Sequence, residues 1–199
     1  MKNNKNLLVV HLNEFNYDFL YNGSKKYKCK NIIQVIDNKK IKTITYDKKQ
    51  NYNLDPWVQS VSINLGTSSK KHKILNLGQP LNYKALQIWD KLAKNKITCS
   101  VWGIMNSKFN FNKNLKLYFP DPWNYNDKPY PKKLENLYYL PNYYSKNYLE
   151  NSKIKILLLA ITFFLGCIRN NMFSFFIKNF YFISKNILKK GLKNFVLFF

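Results

Sequence analysis

Few groups in this 199-residue chain can attack an ester or hold a metal. There are two histidines, His11 and His72, three cysteines, Cys29, Cys99 and Cys167, and ten carboxylates against 33 basic residues. The cysteines are odd in number and far apart, with no CxxC pair. Neither a structural zinc site nor a disulfide framework is expected, which favours a reducing compartment. Two serine hydroxyls, Ser60 and Ser62, lie in the stretch Asp55-Pro56-Trp57-Val58-Gln59-Ser60-Val61-Ser62-Ile63-Asn64-Leu65-Gly66, followed by His72. Asp55 before Pro56 reads as a helix start and Gly66 as its stop. The positive end of such a helix can stabilise an anion, but Ser60 and Ser62 fall at mid-helix. Asn13-Glu14, read on its own, is a helix N-cap with a first-turn acid.

The elements around these groups alternate. Leu7 to Leu12 is a short apolar run, expected as a first buried strand; it is too short, and followed by the wrong residues, for a signal peptide. Glu14 to Tyr21 is expected as a short helix ended by Asn22-Gly23-Ser24. Asn31 to Ile36 and Ile41 to Tyr46 read as extended segments around a turn at 37–40. Lys84 to Asn95 is the clearest helix, with Leu86, Trp89, Leu92 and Ala93 on one face. Ile97 to Gly103 is the next buried strand, and Leu115 to Phe119 another. Four prolines from Pro120 to Pro131 mark an irregular aromatic segment. Leu134 to Leu149 can be helical, interrupted at Pro141. The order of strands and helices favours an α/β layered sheet.

The formal charge of +23 would ordinarily point to nucleic acid or an anionic membrane. Yet Arg169 is the sole arginine, asparagine is abundant, and the lysines are scattered from Lys2 to Lys193. Lysine, asparagine, isoleucine, phenylalanine and tyrosine are what an AT-rich coding sequence supplies. No nucleic-acid-binding module or glycine-rich phosphate loop occurs, so nucleic acid is not an expected partner.

At residue 151 the character changes. From there to Phe199 there are eight basic residues and no acidic one. Ile156 to Ile168 carries no charge, yet is shorter than the ~20 residues that cross a bilayer. Beyond it, Phe173, Phe176, Ile177, Phe180, Ile187 and Leu188 oppose Lys178, Lys185, Lys189 and Lys193, a basic amphipathic pattern. The expected division is a domain over 1–150 and a hydrophobic basic helical tail over 151–199. An anionic membrane surface is a candidate partner for that tail, and the expected location is cytoplasmic or membrane-associated.

The ordered set of the helix ending at Gly66, then His72, the Leu86–Lys96 helix and Val101-Trp102-Gly103 resembles the N-terminal half of the alkaline phosphatase superfamily, in particular its sulfatase and phosphodiesterase-like branch. The resemblance covers about Leu7 to Leu149. It implies a three-layer, mostly parallel α/β sheet and metal-dependent hydrolysis of phosphate or sulfate esters, with zinc, calcium or manganese as cofactor. In that family the first strand ends in a metal-binding Asp; here Asn13 stands at that place and Glu14 beside it. The family nucleophile lies about ten residues before the glycine, where this chain has Pro56, which cannot attack. Ser60 is the remaining catalytic candidate, while Trp57, Gln59 and Asn106 are candidates to line a pocket. The family histidine is followed by glycine; here Lys73 follows His72. Most family ligands come from a C-terminal half, yet no histidine follows His72 and no aspartate follows Asp127. The expectation is a truncated or decayed hydrolase domain whose missing half would be a partner. The rival is a non-catalytic membrane-associated protein that binds through its tail and a Tyr118–Tyr144 aromatic surface.

Overall fold

The computed structural model describes residues 7–12, 16–37, 55–79, 85–124, 126–150, 152–174, 177–179 and 184–185. The chain divides into two compact units, Met1–Pro56 and Trp57–Phe199. In the first, α1 (Tyr17–Lys26) and α2 (Lys30–Asp37) pack together. Asn16 caps α1, its side-chain oxygen accepting the Phe19 N–H at 2.8 Å. The helix then runs through Gly23-Ser24, with the Ser24 hydroxyl donating to the Leu20 carbonyl one turn back.

Two expectations fail in this unit. Leu7 to Leu12 forms no strand, and Leu7, Leu8, Val9, Val10 and Leu12 are exposed. Among the described residues no strand lies beside that run, and an apolar run becomes a buried strand only with a ladder partner. Asn31 to Ile36 is helical, not extended: Ile33 and Ile36 turn inward three residues apart, a spacing of helix rather than strand. The Ile41–Tyr46 segment lies outside the described residues, as do Asn13, Glu14 and Lys84.

The second unit follows the sequence more closely. Helix α3 spans Pro56–Leu65, and Gly66 ends it at φ 67°, a left-handed conformation that costs glycine nothing. The short helix α4 spans Ser69–His72. Helix α5 spans Ile88–Lys94, later than expected, because the Gln87 N–H donates to the Asp90 carboxylate at 2.9 Å and sets the start there. Strands β1 (Cys99–Trp102) and β2 (Leu115–Phe119) pair in parallel, Val101 opposite Tyr118 and Trp102 opposite Phe119. A loop, not a helix, joins them. The class is mixed α/β, with a two-stranded parallel sheet among the described residues.

Helix α6 (Glu135–Lys146) follows a single 3₁₀ turn and contains Pro141 without breaking. Its missing N–H leaves one carbonyl of the preceding turn without that bond, and burial of Leu137, Tyr138 and Tyr144 along the helix offsets the loss. Helix α7 (Lys153–Arg169) starts at Ser152, whose hydroxyl accepts the Lys155 N–H. It lies close against α6: a Cβ on Gly166 would come within 2.9 Å of the Asn136 Cβ.

Trp89, Val101, Leu115 and Tyr118 form one core, and Phe119, Leu134, Leu137, Tyr138 and Cys167 another, joined by Leu117 and Phe163. Val101 and Tyr118 thus pack with α5, while Leu117 and Phe119 pack with α6 and α7. Burying each large side chain is worth roughly 1.5–3 kcal/mol. The Tyr118–Tyr144 aromatics expected at the surface include four buried ones, Tyr118, Phe119, Tyr138 and Tyr144. Partners within the fold make that burial tolerable, since the Tyr118 hydroxyl donates to Asp127 and that of Tyr138 to the Asp121 carbonyl.

Candidate functional site

Three of the sequence candidates meet where α3, the 73–79 loop and the 103–107 loop converge. Ser60 is 1 % exposed. Its hydroxyl donates to the Met105 carbonyl at 3.0 Å and accepts from the Asn64 amide at 3.3 Å. The Trp57 indole N–H donates to the Leu75 carbonyl at 2.9 Å. Asn106 is buried with φ 50°, a conformation asparagine adopts more readily than most residues. Its side-chain oxygen accepts the Gly78 N–H at 2.8 Å and its amide donates to the Asn76 carbonyl at 3.0 Å. Each side chain thus ties loop backbone to its neighbours, and a buried backbone group left unpaired would cost about 1–3 kcal/mol. Gln59 sits half-buried on α3.

Ser62 and His72 form a second pair. The Ser62 Oγ lies 2.9 Å from His72 Nε2, and His72 Nδ1 accepts the Ile74 backbone N–H at 3.0 Å. Burial holds the His72 pKa below its ordinary value, so the ring is neutral near pH 7. A neutral ring with Nδ1 accepting carries its proton on Nε2. The imidazole therefore donates to Ser62 and does not draw off the hydroxyl proton, as a general base would have to. Both ring nitrogens are engaged within the protein, so His72 has no lone pair to offer a metal.

The metal candidates Asn13 and Glu14 lie outside the described residues. Among those described, no three His, Cys, Asp or Glu side chains are grouped to hold an ion.

Sequence reasoning missed a polar network around Asp127 and Asp121. Asp127 accepts from the Phe109 N–H at 2.7 Å and the Tyr118 hydroxyl at 3.0 Å, and Tyr118 is in turn 2.8 Å from Ser107. Asn124 donates to the Ser107 carbonyl and accepts from the Asp127 N–H. Beside them Asp121 is 4 % exposed, and one carboxylate oxygen has no hydrogen-bond partner among the described residues. Burial pushes its pKa up to about 6, partly opposed by the Trp123 N–H. Burial also raises the Tyr118 and Tyr138 hydroxyls above their ordinary value. The available signal was the Asp121–Asp127 pair of acids within a proline- and aromatic-rich stretch, which composition assigns to the surface. Compared with known proteins, the chain matches no protein-family model, no curated protein and no solved structure.

Proposed function

We propose that this chain is a catalytically silent relative of the metal-dependent phosphate and sulfate ester hydrolases, a scaffold whose ancestral active-site region now serves the fold. The observation that carries the reading is the Ser60 hydroxyl, buried and donated to the Met105 carbonyl, in a helix whose nucleophile position is Pro56. A hydroxyl that is buried and already donating cannot reach an ester in line without first breaking that bond.

Two features support the ancestry. Lys73, where the family has a glycine, adopts φ 56°, the left-handed region that glycine enters freely. The strands β1 and β2 also pair in parallel and share apolar cores with α5 and with α6 and α7, a mixed α/β arrangement in keeping with that ancestry. Divalent metal and a partner that supplies the missing ligands belong to the ancestral reaction.

The test is hydrolysis of aryl phosphate mono- and diesters and an aryl sulfate by the purified chain with zinc, manganese or calcium. The expected result is no turnover above the metal alone. Turnover that disappears in Glu14→Ala or Ser60→Ala overturns the reading.

A further inference from the structure

Helix α7 is apolar nearly all round, yet among the described residues only one side of it is covered. Phe163, Gly166 and Cys167 turn toward α6 and its neighbours, and Gly166 permits close approach. On the opposite side Ile154, Leu157, Leu158, Ile161, Leu165 and Ile168 are 45–75 % exposed. Their spacing of three and four residues places them in one stripe, about 21 Å long at helical rise. A contiguous aliphatic patch of roughly several hundred Å² is at the upper end of what a monomer leaves in water.

We propose that this outward stripe seats α7 in the surface of an anionic bilayer, with the helix lying along the headgroup boundary. Among the described residues no helix is long and apolar enough to cross a membrane, and the inward side of α7 is already occupied by protein. A helix so placed lies on a bilayer rather than through it.

Charge selects the occupant. At helical spacing Lys153 and Lys155 flank the stripe on either side at one end, and Arg169 closes the other. Lys178 and Lys185 follow, and no acidic residue occurs after Glu150. Lipid phosphates and carboxylates supply the opposite charge, and the long basic side chains can reach them while the stripe is buried. A second copy fits less well, because pairing would bring two chains of charge +23 together at their basic ends. An acidic protein groove would be met by tryptophan, tyrosine or arginine anchors, which the aliphatic stripe lacks. The inference is independent of the hydrolase ancestry, since α7 supplies none of its candidate groups.

The test is co-sedimentation of the full chain with vesicles of phosphatidylcholine alone and of phosphatidylcholine with phosphatidylserine. Wild type is expected to pellet with the anionic vesicles and more weakly with the neutral ones. The triple variant Leu157→Ser, Leu158→Ser, Ile161→Ser alters exposed positions only, and its fold is checked by circular dichroism and thermal melting. Its partition into anionic vesicles is expected to fall at least tenfold. Undiminished binding of the triple variant overturns the proposal, because lysine charge alone then suffices. Absence of vesicle binding also overturns it, whether the chain is monomeric or forms a dimer that the triple variant loses.

Discussion

The Ser62 hydroxyl and the His72 imidazole are joined by a 2.9 Å hydrogen bond in which the ring is the donor. The Ile74 N–H on Nδ1 fixes this direction. A serine beside a histidine is the raw material of nucleophilic catalysis, and one backbone N–H here turns it into a structural tie between α3 and the turn after α4.

The tautomer is directly measurable. Nitrogen-15 NMR of His72 is expected to show the proton on Nε2, and a proton on Nδ1 would return Ser62 to the list of activatable hydroxyls. Ser62→Ala is expected to cost about 1 kcal/mol of stability in chemical denaturation, the usual net worth of one such bond. Because burial depresses the His72 pKa, the folded state binds fewer protons than the unfolded one just below pH 6.5. Its contribution is therefore present above that pH and is lost as pH falls through the folded pKa.

Lys73 follows that histidine with φ 56° and ψ 23°, and its N–H donates to the Ser69 carbonyl at 2.8 Å. The left-handed conformation costs an L-residue about 1–2 kcal/mol, while glycine gives back part of that advantage through the entropy of its unfolded chain. Lys73→Gly is expected to raise stability by about 0.5–1 kcal/mol, measured by thermal and urea unfolding. Lys73→Val should lower it. Equal stability of all three would show that the turn relaxes to accept any side chain at this position.

Asp121 sets a pH dependence of the opposite sign. Its folded pKa of about 6 lies above the ordinary 3.8, so the folded state holds a proton that the unfolded state releases. Stability is expected to fall as pH rises from about 4 through 6, by on the order of 2–3 kcal/mol. Asp121→Asn should remove that fall and expose the rising limb due to His72 in melts between pH 4 and 8. An unchanged profile in the variant would mean that the carboxylate is compensated when charged.

Legibility differed from element to element for identifiable reasons. Helices α3 and α5 were readable because Asp55-Pro56, Gly66 and the Trp89–Ala93 face act within a few residues of each other. Strand β2 was readable because it is bounded by Asn114 and Pro120. The runs at Leu7 and Asn31 were misread because a short apolar segment is compatible with either strand or helix until something packs against it. Pro141 was misread as a break because its local penalty was visible and the burial offsetting it was not. The Tyr118–Tyr144 aromatics were placed outside because the acids and asparagines that satisfy their hydroxyls come from loops up to 17 residues distant.

By itself the sequence determined the strand–helix order of the second unit, the α3 boundaries, the charge asymmetry beyond residue 150 and the absence of a hydroxyl at Pro56, all properties of adjacent residues. Tertiary structure alone decided what each polar group does. Ser60 faces a carbonyl 45 positions away, Asn106 bonds a glycine 28 positions away, and among the described residues the outer side of α7 stays uncovered while its inner side packs on α6. The physical reason is that a hydroxyl, an amide or an apolar face takes its role from its partner, and those partners are brought near only by the folded chain.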